Sequence, residues 1–336
     1  MTASTEPVQA TVDLVGKRVW VAGHRGLVGS ALCRRLAQED CELIVADRAA
    51  LDLTDQAATS AWMKRMRPEI IFIAAARVGG IAANAARPAD FLYENLTIAA
   101  NIIHAASRIG VEKLLHLGSS CIYPKETSQP IREEQLLTGS LEPTNEAYAV
   151  AKIAGIKLAE SYARQYGCRF ISAMPCNLYG PGDNFDLETS HVLPALIRKF
   201  HQAKSEGRPT VTIWGSGRPR REFLHVDDLA EACMLVMKRY AGPEPINIGA
   251  GVDITIAELA MLVAEALEYR GSMIFDPVRP DGTLRKLLDV TRIRALGWKP
   301  RVDLRDGIAE TYHYWVNDSG AARRAEAHAG ERALAS

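Results

Sequence analysis

Between Lys17 and Leu36 the chain reads as strand, glycine turn, helix, a combination that leaves few folds open. An apolar run, Val19-Trp20-Val21-Ala22, ends at Gly23-His24-Arg25-Gly26-Leu27-Val28-Gly29, and a helical pattern continues from Leu27 to Leu36. A buried strand that enters a helix through glycines is the first βα unit expected of a dinucleotide-binding sheet. Gly23 permits the tight turn, Gly26 lets a pyrophosphate approach the backbone, and Gly29 lets helix and strand pack closely. The free amides at the helix start then bind phosphate. The spacing, Gly-x-x-Gly-x-x-Gly, is one residue longer than the common Gly-x-Gly-x-x-Gly form.

Strands and helices keep alternating. Strand patterns occupy Glu69 to Ala75, Lys113 to Leu117 and Arg169 to Met174, with helical patterns at Asp90 to Ser107 and Ala147 to Tyr166. This predicts an α/β fold, a doubly wound parallel sheet covered on both faces. After Pro175 the rhythm changes to a loop rich in Gly, Pro, Asp and Asn, then shorter elements. Thr255-Ile256-Ala257-Glu258 reads as a capping box opening a helix to Leu267. The expected organisation is a dinucleotide-binding domain over 12–175, with some later segments returning to it, and a smaller, mostly C-terminal α/β substrate lobe over 176–318. Residues 1–11 and an alanine-rich 319–336 form tails.

The 336 residues are 48% hydrophobic and 24% charged, with formal net charge zero. That neutrality argues against a broad nucleic-acid or anionic-membrane surface. No window approaches eighteen apolar residues, and the first seven residues lack the plan of a signal peptide. Six cysteines, at 33, 41, 121, 168, 176 and 233, form no Cys-x-x-Cys pair. Neither a zinc site nor a disulfide framework is indicated, and a reducing cytoplasm is expected.

A second apolar run, Glu42 to Ala46, ends at Asp47-Arg48, where the residue that reads the adenosine ribose belongs. Asp47 would accept bonds from a free 2′-hydroxyl and repel a 2′-phosphate. Arg48, with Arg25, would attract that phosphate, so NAD and NADP both stay open on these residues alone. A plain turn cap is the bland reading of Asp47. Asp52-Leu53 follows and is placed to edge the adenine pocket.

Tyr148 and Lys152 stand four residues apart, a little over one helical turn, so the phenol and the ammonium share a face. A cation beside a phenol favours the phenolate, and the expected effect is a lowered tyrosine pKa. Such a tyrosine can exchange a proton with a sugar oxygen while hydride moves at the same carbon.

Gly118-Ser119-Ser120-Cys121-Ile122-Tyr123-Pro124, Tyr148-x-x-x-Lys152 and Trp214-Gly215-Ser216-Gly217, with the glycine turn, resemble the extended short-chain dehydrogenases. Within that family they are similar to the branch of epimerase–reductases acting on GDP-4-keto-6-deoxy-D-mannose. The segments Ala74 to Ile81, Glu142 to Glu146 and Arg221 to Asp228 make the likeness specific, and it extends from about Arg18 to about Trp315.

The resemblance implies NADPH-dependent epimerisation at C3 and C5, then reduction at C4, giving GDP-L-fucose; with the two arginines it favours NADP, while Asp47 leaves NAD open. It implies that Ser119 hydrogen-bonds the C4 oxygen, Tyr148 protonates it, and Lys152 holds the nicotinamide ribose. Cys121 and His191 would be the base and acid on opposite faces of the sugar, their order open. Leu117, Gly118, Pro175, Asn177, Leu178 and His191 would border the coenzyme. Ser120, Asn177, Lys199, Trp214, Arg221 and Asp281 would join Ser119 and Cys121 around the substrate. Sugar-nucleotide 4,6-dehydratases carry an acidic pair where Ser120-Cys121 stand here, which places this chain after dehydration. The resemblance also implies a homodimer through the helices containing Asp90 to Ser107 and Ala147 to Tyr166. The competing expectations are a single-activity epimerase or reductase and a coenzyme-binding sensor, though a sensor would be expected to lack Tyr148 or Lys152.

Overall fold

Residues 12–278 and 281–318 are described by a computed structural model. The expected tails, 1–11 and 319–336, lie outside the described residues. In chain order the strands are β1 Arg18–Ala22, β2 Glu42–Ile44, β3 Ile70–Ile73, β4 Lys113–Leu117, β5 Phe170–Pro175, β6 Asn177–Tyr179, β7 Thr210–Trp214, β8 Arg220–Arg221, β9 Phe223–His225, β10 Ile246–Ile248, β11 Ile254–Thr255, β12 Ser272–Asp276 and β13 Arg285–Lys286. The helices are α1 Leu27–Leu36, α2 Gln56–Met66, α3 Ile81–Ala86, α4 Pro88–Ile109, α5 Glu146–Tyr166, α6 Val192–Ser205, α7 Val226–Arg239, α8 Ile256–Ala266, α9 Thr291–Ala295 and α10 Leu304–His313.

Six strands form the main sheet in the order β10-β5-β4-β3-β1-β2, and every pair is parallel. β3, β4 and β5 are buried throughout, which explains their nearly continuous apolar sequences. Alternate side chains serve opposite faces. Val19, Val21, Ile70, Phe72 and Leu115 share a core with α1 and α7. Trp20, Ala22, Ile71, Ile73 and Leu114 share another with α2 and α4.

From β1 the chain passes to β2 on one side, while β3 pairs on the other. The crevice at the carboxyl ends of β1 and β3 is therefore the topological switch point, where such sheets bind ligands. Gly23 closes β1 there with φ +87°, and a Cβ on it would lie 2.6 Å from the backbone of Ala75, just after β3. Only glycine fits this approach.

A smaller core forms beside the sheet from α6, α8, α10 and the paired strands β7 and β12. It includes Ile197, Phe200, Val211, Ile213, Leu259, Val263 and Ile308, and Phe185 stacks on Trp315 at 4.9 Å. The segments beyond 175 do not all stay in this lobe. α7 packs on α1, β10 extends the main sheet beside β5, and Leu288, Val290, Ile293 and Trp298 join the larger core. Lys113 of β4 ties α7 down by donating to the carbonyls of Met237 and Tyr240, both at 2.6 Å. The capping box at Thr255 and Glu258 forms in both directions.

Candidate active site

At the nucleotide end, Gly26 N–H donates to Gly23 O at 3.0 Å and Ser30 N–H to Gly26 O at 2.9 Å, winding the turn into α1. A Cβ on Gly29 would collide with the Gly23 carbonyl. Gly26 caps α1 without a side-chain bond, so the first amides of the helix have no side-chain acceptor there. Bare backbone, a helix start and no side chain above it fit a pyrophosphate. His24 is half-buried in this turn, while Arg25 and Gly26 are exposed. Asp47 does serve as a turn cap, accepting from Ala50 N–H at 2.9 Å, and its other oxygen pairs with Arg25 Nη2 at 3.1 Å. Asp52 accepts from the amide and hydroxyl of Thr54, and Leu53 packs against the core under α2.

Farther along the carboxyl edge, β4 ends at Leu117, whose carbonyl accepts from Lys152 Nζ at 2.8 Å. Gly118 N–H donates to Ala173 O at 2.8 Å, and a side chain there would strike Met174. Ser119 and Ser120 part company at this point. Ser120 begins a short 3-10 turn and is 4% exposed, whereas Ser119 is half-buried and its hydroxyl accepts from Cys121 N–H at 3.3 Å. Ser120 is thus the less accessible of the two serines.

α5 supplies Tyr148 and Lys152, with Lys152 Nζ 5.8 Å from the centre of the Tyr148 ring, and Phe91 meets that ring edge-on. The tyrosine pKa does not fall as the spacing suggested. Burial drives it well above the ordinary value, Cys121 pushes the same way, and a hydrogen bond with Ser119 opposes them. Burial also lowers Lys152, to about 8. Desolvation is the largest cause for both groups. Ser119, Cys121 and Tyr148 nevertheless converge, as their mutual influence requires.

Arg221 faces Cys121 from the smaller lobe. Burial lowers the guanidinium pKa, and Cys121, Asp281 and Glu142, in that order, hold it up. Its neighbour Arg220 is committed elsewhere, to Asp253 at 2.9 Å. Lys199 donates to Thr212 O at 3.1 Å and lies 4.7 Å above the ring of Trp214, which is 53% exposed. Asp281 already accepts from Ser216 N–H at 2.6 Å and Ser216 Oγ at 2.8 Å, so its first duty is to brace the Gly215–Ser216 turn. Asn177 Nδ2 donates to Glu222 O at 2.9 Å, just after Pro175, and Leu178 lies beside it in β6.

His191 precedes α6 and is exposed, yet surrounding protein lowers its pKa. The loop from Gly180 to Ser190 leads to it. A Cβ on Gly182 would lie 3.3 Å from Ser30 Oγ, and Gly80 N–H donates to Thr189 O at 2.9 Å. The loop thus reaches from the glycine turn to the segment after β3. Burial thus favours the neutral imidazole.

Several polar groups with buried atoms were not singled out from sequence. Asn145, three residues before Tyr148, has a buried Oδ1 with no partner among the described residues. Asp183 in the His191 loop has its carboxyl pushed up to about 7 by burial. Glu222, fully buried, accepts from Gly251 and Leu288 amides, and burial raises it to about 7. Glu142-Pro143-Thr144-Asn145-Glu146, Gly182-Asp183 and Arg221-Glu222 were the available signals, but polar residues beside Gly and Pro suit any loop.

A dinucleotide crevice joined to a Ser–Tyr–Lys cluster defines a nucleotide-dependent sugar epimerase or dehydrogenase. The profile of the NAD dependent epimerase/dehydratase family matches residues 19–249, and the chain belongs to that family. It is 55% identical over 305 residues to a GDP-L-fucose synthase of Sinorhizobium fredii, covering 91% of this chain and 97% of that one. It is 53% identical over 312 residues to the GDP-L-fucose synthase of Escherichia coli, covering 90% and 97%. Among solved structures, a GDP-L-fucose synthetase from Naegleria fowleri bound to NADP superposes with TM-score 0.87 at 28% identity, covering 95% of this chain and 100% of that one.

Proposed function

We propose that this chain is an NADPH-dependent epimerase–reductase that converts GDP-4-keto-6-deoxy-D-mannose to GDP-L-fucose. The observation that carries the reading is proximity: the proton-transfer groups for a ketone, Ser119 and Tyr148, lie beside Cys121, and Arg221 lies near the same sulfur.

The 4-keto group acidifies the hydrogens at C3 and C5, because the resulting carbanion delocalises as an enolate. Inversion needs a base on one face and an acid on the other. Cys121 and His191 fill these roles, with Arg221 supplying the positive charge that a thiolate at Cys121 would face. Ser119 orients the C4 oxygen. Bound NADPH supplies the hydride for C4. Tyr148 gives its proton to the C4 oxygen; its raised pKa keeps it protonated beforehand, as a donor must be. Lys152 holds the nicotinamide ribose and stabilises the phenolate left behind. Arg221 and Lys199 take the GDP phosphates, Arg221 in the bidentate manner open to a guanidinium. Trp214 and Asp281 border the sugar nucleotide, and Asn177 the nicotinamide side.

The protein acts as a cytoplasmic homodimer through the outer faces of α4 and α5, where Tyr93, Leu96 and Val150 are exposed. None of the described helices is long and apolar enough to cross a membrane, and all six cysteines are free. The test supplies GDP-4-keto-6-deoxy-D-mannose with NADPH and follows coenzyme absorbance and product stereochemistry. Formation of GDP-L-fucose supports the reading. Epimerisation or reduction alone favours a single-activity enzyme, and coenzyme binding without turnover favours a sensor.

A further inference from the structure

We infer that the adjacent glycines Gly79 and Gly80 are positioning residues with separate duties: Gly79 sets Tyr148 through Phe91, and Gly80 sets His191 through Ser190. The inference rests on the reading that Tyr148 serves C4 reduction and His191 serves epimerisation.

Both glycines stand between β3 and α3, in a segment that no step of the reaction uses directly. Asn95 of α4, 4% exposed, fixes the start of that segment. Its Oδ1 accepts from Arg77 N–H at 2.9 Å, and its Nδ2 donates to Arg77 O at 3.0 Å and to Phe91 O at 2.7 Å. Arg77 Cζ lies 5.5 Å from the centre of the Phe91 ring. The tip of the ring reaches Gly79, where a Cβ would lie 3.2 Å from Phe91 Cζ and 3.0 Å from Ala83 Cβ. The same ring meets Tyr148 edge-on, with centroids 6.5 Å apart. A methyl at 79 therefore presses on a buried ring whose next neighbour is the proton donor.

Gly80 faces the loop that ends at His191. Its N–H donates to Thr189 O at 2.9 Å, and a Cβ on it would lie 2.8 Å from Ser190 O. Its φ of −66° suits any residue, so the need for glycine here is one of space. The obstacle is main chain, which cannot rotate aside as a side chain can. Asn84, 6% exposed, holds the pair in place, donating through Nδ2 to Gly79 O at 2.7 Å and to Gly80 O at 3.1 Å. Neighbouring positions thus reach the two proton-transfer groups by different contacts, a ring for Tyr148 and a main chain for His191. Close-packed interiors transmit such displacements. A shift of about 1 Å at a reacting group costs about 10²-fold in rate, and a shift of a few tenths costs severalfold.

The experiment compares the full chain with Gly79→Ala, Gly80→Ala and Thr189→Val, circular dichroism checking the fold of each. Solvent-deuterium exchange at C3 and C5 of GDP-4-keto-6-deoxy-D-mannose is read with NADP+, which has no hydride to give. Reduction is read as single-turnover NADPH oxidation with the same sugar nucleotide. Gly80→Ala is expected to lower exchange by about tenfold or more, with NADPH oxidation much less affected and the product shifted toward the 6-deoxy sugar that is not inverted. Gly79→Ala is expected to lower NADPH oxidation severalfold with exchange unchanged. Thr189→Val removes an exposed hydroxyl that bonds Asn184 and Asp186, and so loosens the Gly80 junction from the loop side. It should lower exchange severalfold and spare oxidation, and it decides the matter where Gly80→Ala does not fold. Exchange and oxidation falling in equal proportion in the glycine variants overturns the inference, as does a folded Gly80→Ala with full exchange. Unmodified protein that neither exchanges nor oxidises overturns the reading of the reaction, and the inference with it.

Discussion

Replacing Lys152 with methionine should separate stability from function. The ammonium is buried, donates to Leu117 O at 2.8 Å, and burial lowers its pKa from 10.5 to about 8. A difference of that size corresponds to about 3 kcal/mol. The sign follows from proton binding. Because the folded pKa lies below the unfolded one, the unfolded chain holds more protons between pH 8 and 10.5, and stability rises with pH across that window. Below pH 8 the folded protein carries the whole penalty; by pH 9.5 about 2 kcal/mol of it is relieved.

Methionine has similar length and no charge, so Lys152→Met removes the penalty. It also leaves the Leu117 carbonyl unpaired, at a cost of about 1–3 kcal/mol. At pH 7 the coenzyme-free variant should be between unchanged and about 2 kcal/mol more stable, and inactive in reduction. The sharper quantity is the difference between variant and unmodified protein, because every other titrating group cancels. Urea unfolding followed by circular dichroism at pH 7, 8, 9 and 9.5 should show that difference shifting by about 2 kcal/mol against the variant. A difference that stays constant over this range would refute the argument, since it would mean that Lys152 titrates alike in both states.

Tyr148→Phe should cut C4 reduction by about 10²–10⁴-fold while solvent-deuterium exchange at C3 or C5 persists; mass spectrometry of recovered sugar nucleotide reads the exchange, and equal loss of both would refute the split of roles. Cys121→Ser should reverse the pattern, and unimpaired exchange would discard Cys121 as the base. Gly23→Ala places a side chain at φ +87° against the Ala75 backbone, and should destabilise the protein by about 2 kcal/mol or more and weaken NADP+ binding. Thermal unfolding unchanged from the unmodified protein would contradict the close approach.

The sheet was legible because parallel strands buried on both faces leave little room for polar residues. Lys113 to Leu117 was read to the residue despite its lysine and histidine, and α1 likewise. β10 was not legible: three residues, Ile246 to Ile248, join the sheet through contacts with a strand about seventy residues earlier, and so short a run carries no period of its own. At the site, residue types and chain order singled out Ser119, Tyr148, Lys152 and Arg221; Lys152 lies beside the Tyr148 ring, Ser119 bonds Tyr148, and Arg221 lies near Cys121. The direction of the Tyr148 pKa was not legible, because it depends on desolvation by residues far apart in sequence. Asp47 fared similarly. Its two oxygens divide between Ala50 and Arg25, a partition that only coordinates reveal.

The perturbed pair at α5 also gives the unfavourable burial of Lys152 a chemical use. Reduction requires Tyr148 to lose a proton in surroundings where burial disfavours phenolate. A unit charge about 6 Å away, near the 5.8 Å seen from Lys152 Nζ to the ring centre, is worth about 3 kcal/mol at an effective dielectric of about 20. That is close to the penalty of burying the ammonium. A charge that costs this much to bury is thus worth a similar amount to the phenolate once a ketone takes the proton. Glutamine at 152 tests this from the other side. It can still donate to Leu117 O, but it brings no charge. Lys152→Gln should keep the fold and lose reduction by about 10²-fold, a factor that 3 kcal/mol converts to. Reduction near the unmodified rate would show that positioning, and not charge, is what Lys152 contributes.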